Sequence, residues 1–197
     1  MMKNLNMTKY NMIVAADVNW CIGKDGNLLT HIPEDMKFFK YITEKRVVVM
    51  GRKTQESLPN KTYLKNRINV ILSRTERDDL DQYVSTPEAV VRYVSDIDSI
   101  PLFIKSINNA KLKYDALSNI NYITDSDVFI IGGAQIYKLF LENDLIDTIY
   151  LTKIQQAFNG DTFIPNPYDF GFKEVETIVP KKTDDKRNTY TIVKLKK

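Results

Sequence analysis

Four short stretches of this chain are apolar almost end to end, and they limit its architecture more than anything else in it. Asn11–Asp17 reads NMIVAAD, Arg46–Met50 reads RVVVM, Arg67–Ser73 reads RINVILS and Val128–Ile131 reads VFII. A strand with one wet face alternates apolar and polar residues, whereas a continuous apolar run is covered on both faces. Val90–Val94 and Thr148–Ile154 (TIYLTKI) add two more strand-sized runs. Helical segments lie between them. Pro33 suits the first position of a helix, where its missing N–H has no partner to lose, and that helix is expected to reach about Lys45. Shorter helices are expected through Thr54 and Leu58, around Ser99–Asn108, and from about Ala134 to Glu142. Strands alternating with helices predict an α/β fold of three layers, a mostly parallel mixed sheet with helices on both faces. From Phe172 the pattern alternates around the charged turn KKTDDKRN, which predicts a C-terminal antiparallel hairpin.

The chain has 197 residues, 43% hydrophobic and 27% charged, which suits one domain over residues 10–197 with its own core. Residues 1–9 read as an N-terminal extension. Lys111–Asp127 has no place in the strand–helix scheme and reads as an insertion, with one extra helix as its expected form. A net charge of +3 is too small to argue for a nucleic-acid surface, so the basic residues serve local anion contacts. The single cysteine, Cys21, excludes an internal disulfide and suits a reducing compartment. The start, MMKNLNMTKY, lacks the apolar core of a signal peptide, and no run is long enough to span a membrane. A cytoplasmic protein without a membrane partner is expected, and nothing in the pattern calls for more than a monomer. One histidine, His31, and no clustered Cys/His spacing predict no metal site. Trp20 and Cys21 read as packing residues.

Three of the buried runs end in similar chemistry. RVVVM leads into Gly51-Arg52-Lys53-Thr54, RINVILS into Arg74, and VFII into Gly132-Gly133 at the start of a helix. Ligands of open parallel sheets bind beyond the carboxyl ends of the strands. Arg52 and Lys53 open a short helix, the end at which the macrodipole disfavours cations, and a bound anion resolves that conflict. Glycines at the second helix start let a diphosphate approach the backbone. Each site alone also reads blandly, as a tight turn or a solvated cation. Together they point to a phosphorylated ligand. The GxGxxG fingerprint is absent, which excludes a standard dinucleotide fold.

A second local conflict lies in HIPEDMKFFKYI. On a helix starting at Pro33, Lys37, Lys40 and Glu44 share a wet face, and Phe38, Phe39 and Ile42 share the opposite one with Met36 at its edge. Asp35 falls among the apolar residues. A carboxylate in the first turn complements the helix dipole, which is one reading of it; a functional acid aimed into an apolar cleft is the other. Burial raises its pKa and the helix start lowers it, and burial is expected to prevail.

The blocks IVAADVNWCIGKDGNL, HIPEDMKFF, VVVMGRKTQESL, RINVILSR, IIGGAQIY, IYLTKI and GDTFIP occur in the order and spacing of dihydrofolate reductases. The chain resembles that family over almost all of its length outside the first nine residues and the insertion. The resemblance implies NADPH-dependent reduction of 7,8-dihydrofolate to tetrahydrofolate, in support of one-carbon metabolism and thymidylate synthesis, and susceptibility to antifolate inhibitors. It implies that Asp35 pairs with the 2-amino group and N3 of the pterin, with Thr152 bonded to it from behind. Ile13, Val14 and Ala15 would line the pterin pocket, and Met36, Phe39, Leu58 and Leu64 would sandwich the ring and benzoyl group. Arg67 would hold the α-carboxylate of the glutamate tail, with Ile131 and Tyr137 near the nicotinamide. For NADPH, Arg52, Lys53 and Arg74 would surround the 2′-phosphate and adenosine. Thr54 and the turn Gly132, Gly133, Ala134, Gln135 and Ile136 would hold the diphosphate, with a cis Gly132–Gly133 bond. Ala15, Ile22, Gly23, Asn27, Leu28, Gly51, Leu72 and Ser73 complete the implied cofactor site, and Gly23–Leu29 resembles a mobile lid.

The chain departs from the family at Leu29-Thr30, where Pro-Trp is usual and the tryptophan orders a water near the pterin carbonyl. Thr30 can still bond that water, so it joins Asp35 as an implied catalytic residue, with a wetter pocket and altered antifolate affinity expected. Gln55 and Ala134 also depart from the pattern without bearing on catalysis. Two rivals stand beside this reading: a reductase of a riboflavin precursor on the same fold, and a catalytically inactive pterin- or nucleotide-binding protein. The first has no need of both Asp35 and Arg67.

Overall fold

A computed structural model describes residues 9–59, 62–74, 83–85, 89–110 and 127–197. The expected N-terminal extension, except Lys9, and the expected insertion, except Asp127, lie outside the described residues. In chain order the strands are β1 (Tyr10–Ala16), β2 (Cys21–Lys24), β3 (Asn27–Leu28), β4 (Val47–Gly51), β5 (Ile68–Leu72), β6 (Tyr83–Ser85) and β7 (Val90–Val94). They continue with β8 (Val128–Gly132), β9 (Ile146–Ile154), β10 (Thr162–Phe163), β11 (Lys173–Thr183) and β12 (Thr189–Lys196). The helices are α1 (Pro33–Thr43), α2 (Arg52–Ser57), α3 (Ser99–Ala110) and α4 (Ala134–Glu142).

The main sheet has the order β11-β12-β9-β1-β8-β4-β5-β7-β6. From β9 to β7 every neighbouring pair is parallel. β6 is antiparallel at one edge, and β12 with β11 forms the C-terminal hairpin at the other. This is the α/β arrangement expected from the apolar runs. Within the sheet, β1 connects through α1 towards β4, while its neighbour β8 connects through α4 to β9 on the other side. Adjacent strands whose connections leave in opposite directions open a crevice at their carboxyl ends. The three sequence sites with anion chemistry end β8, β4 and β5, which are consecutive in the sheet.

The two faces are covered differently. α3 and α4 lay Ile100, Phe103, Ile104, Ile136 and Phe140 on Met12, Val14, Val49, Val70 and Leu151 in one continuous core. The opposite face carries two separate clusters. One joins Ile32 and Phe38 to Ala15, Ile154 and Ile192; the other joins Leu58, Tyr63, Leu64 and Ile131 to Val48, Met50 and Ile71.

Two expectations need correction. α1 ends at Thr43, not near Lys45, because Glu44 is already extended (ψ 134°) and Lys45 takes a left-handed φ of 59°. Gly23–Leu29, expected as a loop, is instead mostly a hairpin: β2 and β3 pair antiparallel around Asp25 (φ 49°) and Gly26 (φ 77°). An Asp-Gly pair supplies the two left-handed residues that a two-residue hairpin needs. β10 adds a third strand on β2. Asp17 roots this small sheet: its Oδ1 accepts the Asn19 and Cys21 N–H groups at 2.8 and 2.9 Å, and its Oδ2 accepts the Phe158 N–H at 2.8 Å.

Gly160 stands against the buried face of that sheet, where a Cβ would lie 2.2 Å from Cys21 Sγ and 2.6 Å from the Gly23 carbonyl oxygen. One of those neighbours is backbone and cannot step aside. Gly160→Ala is therefore expected to destabilise the fold by about 1–3 kcal/mol in denaturant titration. An unchanged midpoint would show that β2 and β10 separate freely.

Candidate active site

Asp35 sits in the first turn of α1, a helix whose N-cap, Ile32, provides no side-chain hydrogen bond. Its carboxylate is turned towards the sheet. Thr152 on β9 donates its hydroxyl to Asp35 Oδ1 at 2.5 Å, and Thr152 pairs in register with Ala15 on β1. The acid thus lies near the carboxyl ends of these two central strands. Burial pushes its pKa above the usual aspartate range, against the opposing pull of the Thr152 hydrogen bond and the nearby His31. The competition posed by the sequence is resolved in favour of desolvation. Glu34, one residue earlier, faces the other way. It takes hydrogen bonds from Lys182 and Tyr190, both of which hold its pKa down.

Across the crevice, Tyr137 on α4 is buried and donates its hydroxyl to the Ile13 carbonyl oxygen at 2.7 Å. Burial first, and the Asp35 charge second, raise its pKa far above the usual phenol value, so it remains a donor. The ring explains Gly132. That residue has a φ of 111°, and a Cβ there would fall 2.9 Å from the tyrosine ring. The Gly132–Gly133 peptide is cis. Gly133 is the N-cap of α4 without a side-chain cap, and a Cβ there would meet Thr54 Oγ1 at 3.0 Å. Backbone N–H groups at the α4 start and the Thr54 hydroxyl therefore converge.

Of the residues expected to sandwich a flat ring, Leu58 and Leu64 pack into one cluster together with Ile131, expected near the nicotinamide, while Ala15, expected to line the pterin pocket, belongs to the other cluster. Phe39 is half-buried, and Met36, 37% exposed, lies at the rim. Ile13 and Val14 are buried in β1, while Thr30 is half-buried on the approach to α1. Arg67 is buried and donates to the Lys65 carbonyl at 2.6 Å, the Lys40 carbonyl at 3.2 Å and Thr43 Oγ1 at 3.2 Å. Burial lowers its pKa, yet a guanidinium keeps its charge in proteins.

On the other side of α2, Ser73 Oγ is buried and has no hydrogen-bond partner among the described residues. Arg74 beside it is exposed, as is Lys53. Arg52 is compensated within its own helix by Glu56 at 2.5 Å, which the sequence argument overlooked. Ile22 is half-buried and Gly23 buried in β2, and Asn27 and Leu28 of β3 are exposed at the edge of the small three-stranded sheet. Gly51, Leu72, Ala134, Gln135 and Ile136 complete the rim of strand ends and helix starts.

A separate groove of about 490 Å³ opens at the amino ends of the strands, between Tyr41, Ile42, Phe129 and Tyr150. Its cations are already matched, Arg46 by Asp127, Lys194 by Glu176 and Lys196 by Asp147. Among the described residues no group of three or more His, Cys, Asp or Glu side chains could hold a metal, and no helix is long and apolar enough to cross a membrane.

Two buried polar residues at the site escaped the sequence reading. Thr43 receives Arg67, and Asn69 bonds the Leu64 backbone. The signal for Asn69 was visible, since an amide inside an otherwise apolar strand must find partners.

A desolvated acid at the carboxyl ends of the strands, next to glycine-lined helix starts and a buried hydroxyl without a partner among the described residues, is an arrangement suited to a flat hydrogen-bonding heterocycle beside a phosphorylated ligand. The chain belongs to the dihydrofolate reductase family, whose model matches residues 9–197. It is 34% identical to a dihydrofolate reductase of Lactococcus lactis, covering 91% of this chain and 90% of the relative. A dihydrofolate reductase of Schistosoma mansoni is likewise 34% identical, over 80% of this chain and 78% of the relative. The bifunctional dihydrofolate reductase-thymidylate synthase of Glycine max is 36% identical over 95% of this chain, which spans only 34% of that protein. Among solved structures, dihydrofolate reductase from Enterococcus faecalis complexed with NADP(H) and RAB-propyl superposes with a TM-score of 0.67 at 25% identity, covering 96% of each chain.

The raised Asp35 pKa fixes the sign of a stability effect. The unfolded carboxyl ionises at its ordinary value while the folded one still holds its proton, so stability falls as pH rises through that window and stays lower above it. Ligand-free Asp35→Asn is expected to melt above the parent at neutral pH, with the difference shrinking as pH falls below the ordinary carboxylate range. A parent that melts higher at neutral pH would contradict the desolvation of this acid.

Proposed function

We propose that this chain catalyses the NADPH-dependent reduction of 7,8-dihydrofolate to 5,6,7,8-tetrahydrofolate. The observation that carries the reading is Asp35, a desolvated carboxylate backed by Thr152 near the carboxyl ends of β1 and β9. NADPH, when bound, supplies a hydride from C4 of its nicotinamide to C6 of the pterin, a proton goes to N5, and NADP⁺ is left. The residues present fit that cofactor. Ser73 Oγ lacks a partner among the described residues, its chain neighbour Arg74 and Lys53 in the first turn of α2 are exposed cations, and the α4 start is bare of any side-chain cap. In this reading Ser73, Arg74 and Lys53 take the 2′-phosphate, and Thr54 with the Gly133–Ile136 backbone takes the diphosphate.

For the substrate, Asp35 accepts from the pterin 2-amino group and N3. Only one lone pair of Oδ1 is committed to Thr152, so both carboxylate oxygens remain able to accept. A negative charge there favours the N5-protonated pterin, the form that accepts hydride. Tyr137 fixes the Ile13 carbonyl, and that carbonyl has a second lone pair for the pterin. Leu58, Leu64, Ile131 and Phe39 supply apolar walls that exclude water, and Arg67 pairs with the α-carboxylate of the glutamate tail. The reading includes a cytoplasmic monomer inhibited by antifolates.

Loss of NADPH absorbance with dihydrofolate tests this directly. Asp35→Asn is expected to lower kcat/KM by roughly 100-fold or more, the scale of a positioned acid–base group. The parent should show a rate ionisation above the ordinary aspartate value of about 3.9 that the variant lacks. Undiminished turnover in Asp35→Asn removes the assignment. At Thr30 the expected result is retained activity in the parent and a changed antifolate Kd in Thr30→Trp; identical antifolate binding by both would show that this position leaves the pocket unaltered.

A further inference from the structure

The turn that carries Leu64 and Arg67 is held closed by one buried amide, that of Asn69. Asn69 lies in β5, two residues beyond Arg67, and is 0% exposed. Its Oδ1 accepts the Leu64 N–H at 3.0 Å, and its Nδ2 donates to the Leu64 carbonyl at 3.0 Å. One side-chain amide thus pairs with both backbone groups of one residue, as a neighbouring strand would. The same Nδ2 lies 3.3 Å from the Arg67 carbonyl oxygen and 3.4 Å from that of Val90. Asn69 therefore clasps both ends of the turn and fastens it to β7.

The turn needs such a clasp. It contains Asn66 in a left-handed conformation (φ 57°) and lies outside every strand and helix. Its tip is docked by the Lys45 N–H, which donates to the Asn66 carbonyl at 2.8 Å. Inside it, the Lys65 carbonyl accepts Arg67 Nη1 at 2.6 Å and so helps to aim the guanidinium. A shift of the Leu64–Lys65 backbone displaces both the apolar wall at Leu64 and the acceptor that orients Arg67.

We propose that Asn69 is a positioning residue for the substrate's benzoylglutamate tail: by clamping the Leu64 backbone it sets the aim of Arg67 and so the preference for a tailed pterin. This rests on the reading of Arg67 as the carboxylate-binding residue. The reacting atoms are elsewhere, at the ends of β1 and β8, so binding of the tail separates from hydride transfer. Replacement by aspartate keeps an acceptor for the Leu64 N–H but points a carboxylate at three carbonyl oxygens. Serine is too short to reach Leu64.

The test compares KM for dihydrofolate with KM for 6-methyl-7,8-dihydropterin, which has the reducible ring and no tail, at saturating NADPH. In Asn69→Asp and Asn69→Ser the KM for dihydrofolate is expected to rise about tenfold, the scale of a lost buried hydrogen-bond pair, with KM for the tailless pterin and both kcat values within about twofold of the parent. An equal rise for both substrates, or none for either, overturns the proposal. A parent that turns over neither substrate fails the reductase reading itself, while a parent that reduces both with the same KM fails the Arg67 reading and this proposal with it. Hydrogen exchange on the parent needs no variant to fold. The Leu64 amide, outside any strand, should exchange as slowly as the amides of β5, and rapid exchange there would show that the clasp is open.

Discussion

A carboxylate deprived of water on one face of α1 is the constraint from which the rest of the site follows. A desolvated aspartate with one hydroxyl partner is less stable charged than the same group in solvent. The fold holds it there because the helix is anchored independently of it. Ile32 and Phe38 pack into a cluster with Ala15, Ile154 and Ile192, and Glu34 is tied by Lys182 and Tyr190 of the C-terminal hairpin. Neighbouring residues thus divide the work, Glu34 fastening the helix start while Asp35 remains available. Active sites are where such locally unfavourable charges are kept, since the ligand provides the partners the protein withholds.

The sheet brings the second half of the chemistry to the same edge. β1 and β8 are neighbours whose connections run in opposite directions, so α1 and the α4 start meet across one crevice. Gly132 and Gly133 let α4 approach: one accommodates the Tyr137 ring and the other the Thr54 hydroxyl. Tyr137 then reaches the Ile13 carbonyl of β1, so a residue of α4 orients an acceptor on the neighbouring strand.

Much of this was legible in the sequence for a physical reason: strands covered on both faces leave continuous apolar runs, and a charge placed among them stands out. The parallel sheet, the position of Asp35 and the direction of its pKa follow from that contrast, and the C-terminal hairpin shows instead as alternation around the charged turn KKTDDKRN. What escaped was held by short-range backbone chemistry or by compensation invisible along the chain. The Asp25-Gly26 turn announced the β2–β3 hairpin, but the strands it joins are only four and two residues long and offer no apolar pattern. Arg52 looked uncompensated until its i,i+4 partner Glu56 was in view. Thr43 and Asn69 matter through what they bond, and only the folded chain brings Leu64, Arg67 and Val90 around one amide. The resemblance to dihydrofolate reductases implied individual roles on which composition and periodicity were silent, and the match over residues 9–197 confirms the family.

The central claim is electrostatic, so the most direct measurement reads the charge of Asp35 itself. Carbon-13 NMR of the labelled aspartate carboxyl carbons, with Asp35→Asn assigning the resonance, follows its titration with and without a bound pterin and NADP⁺. The account predicts a ligand-free transition above the ordinary aspartate range and an ionised carboxylate throughout the neutral range once the heterocycle is bound. A resonance that titrates like a solvent-exposed aspartate, unmoved by the ligands, would contradict it.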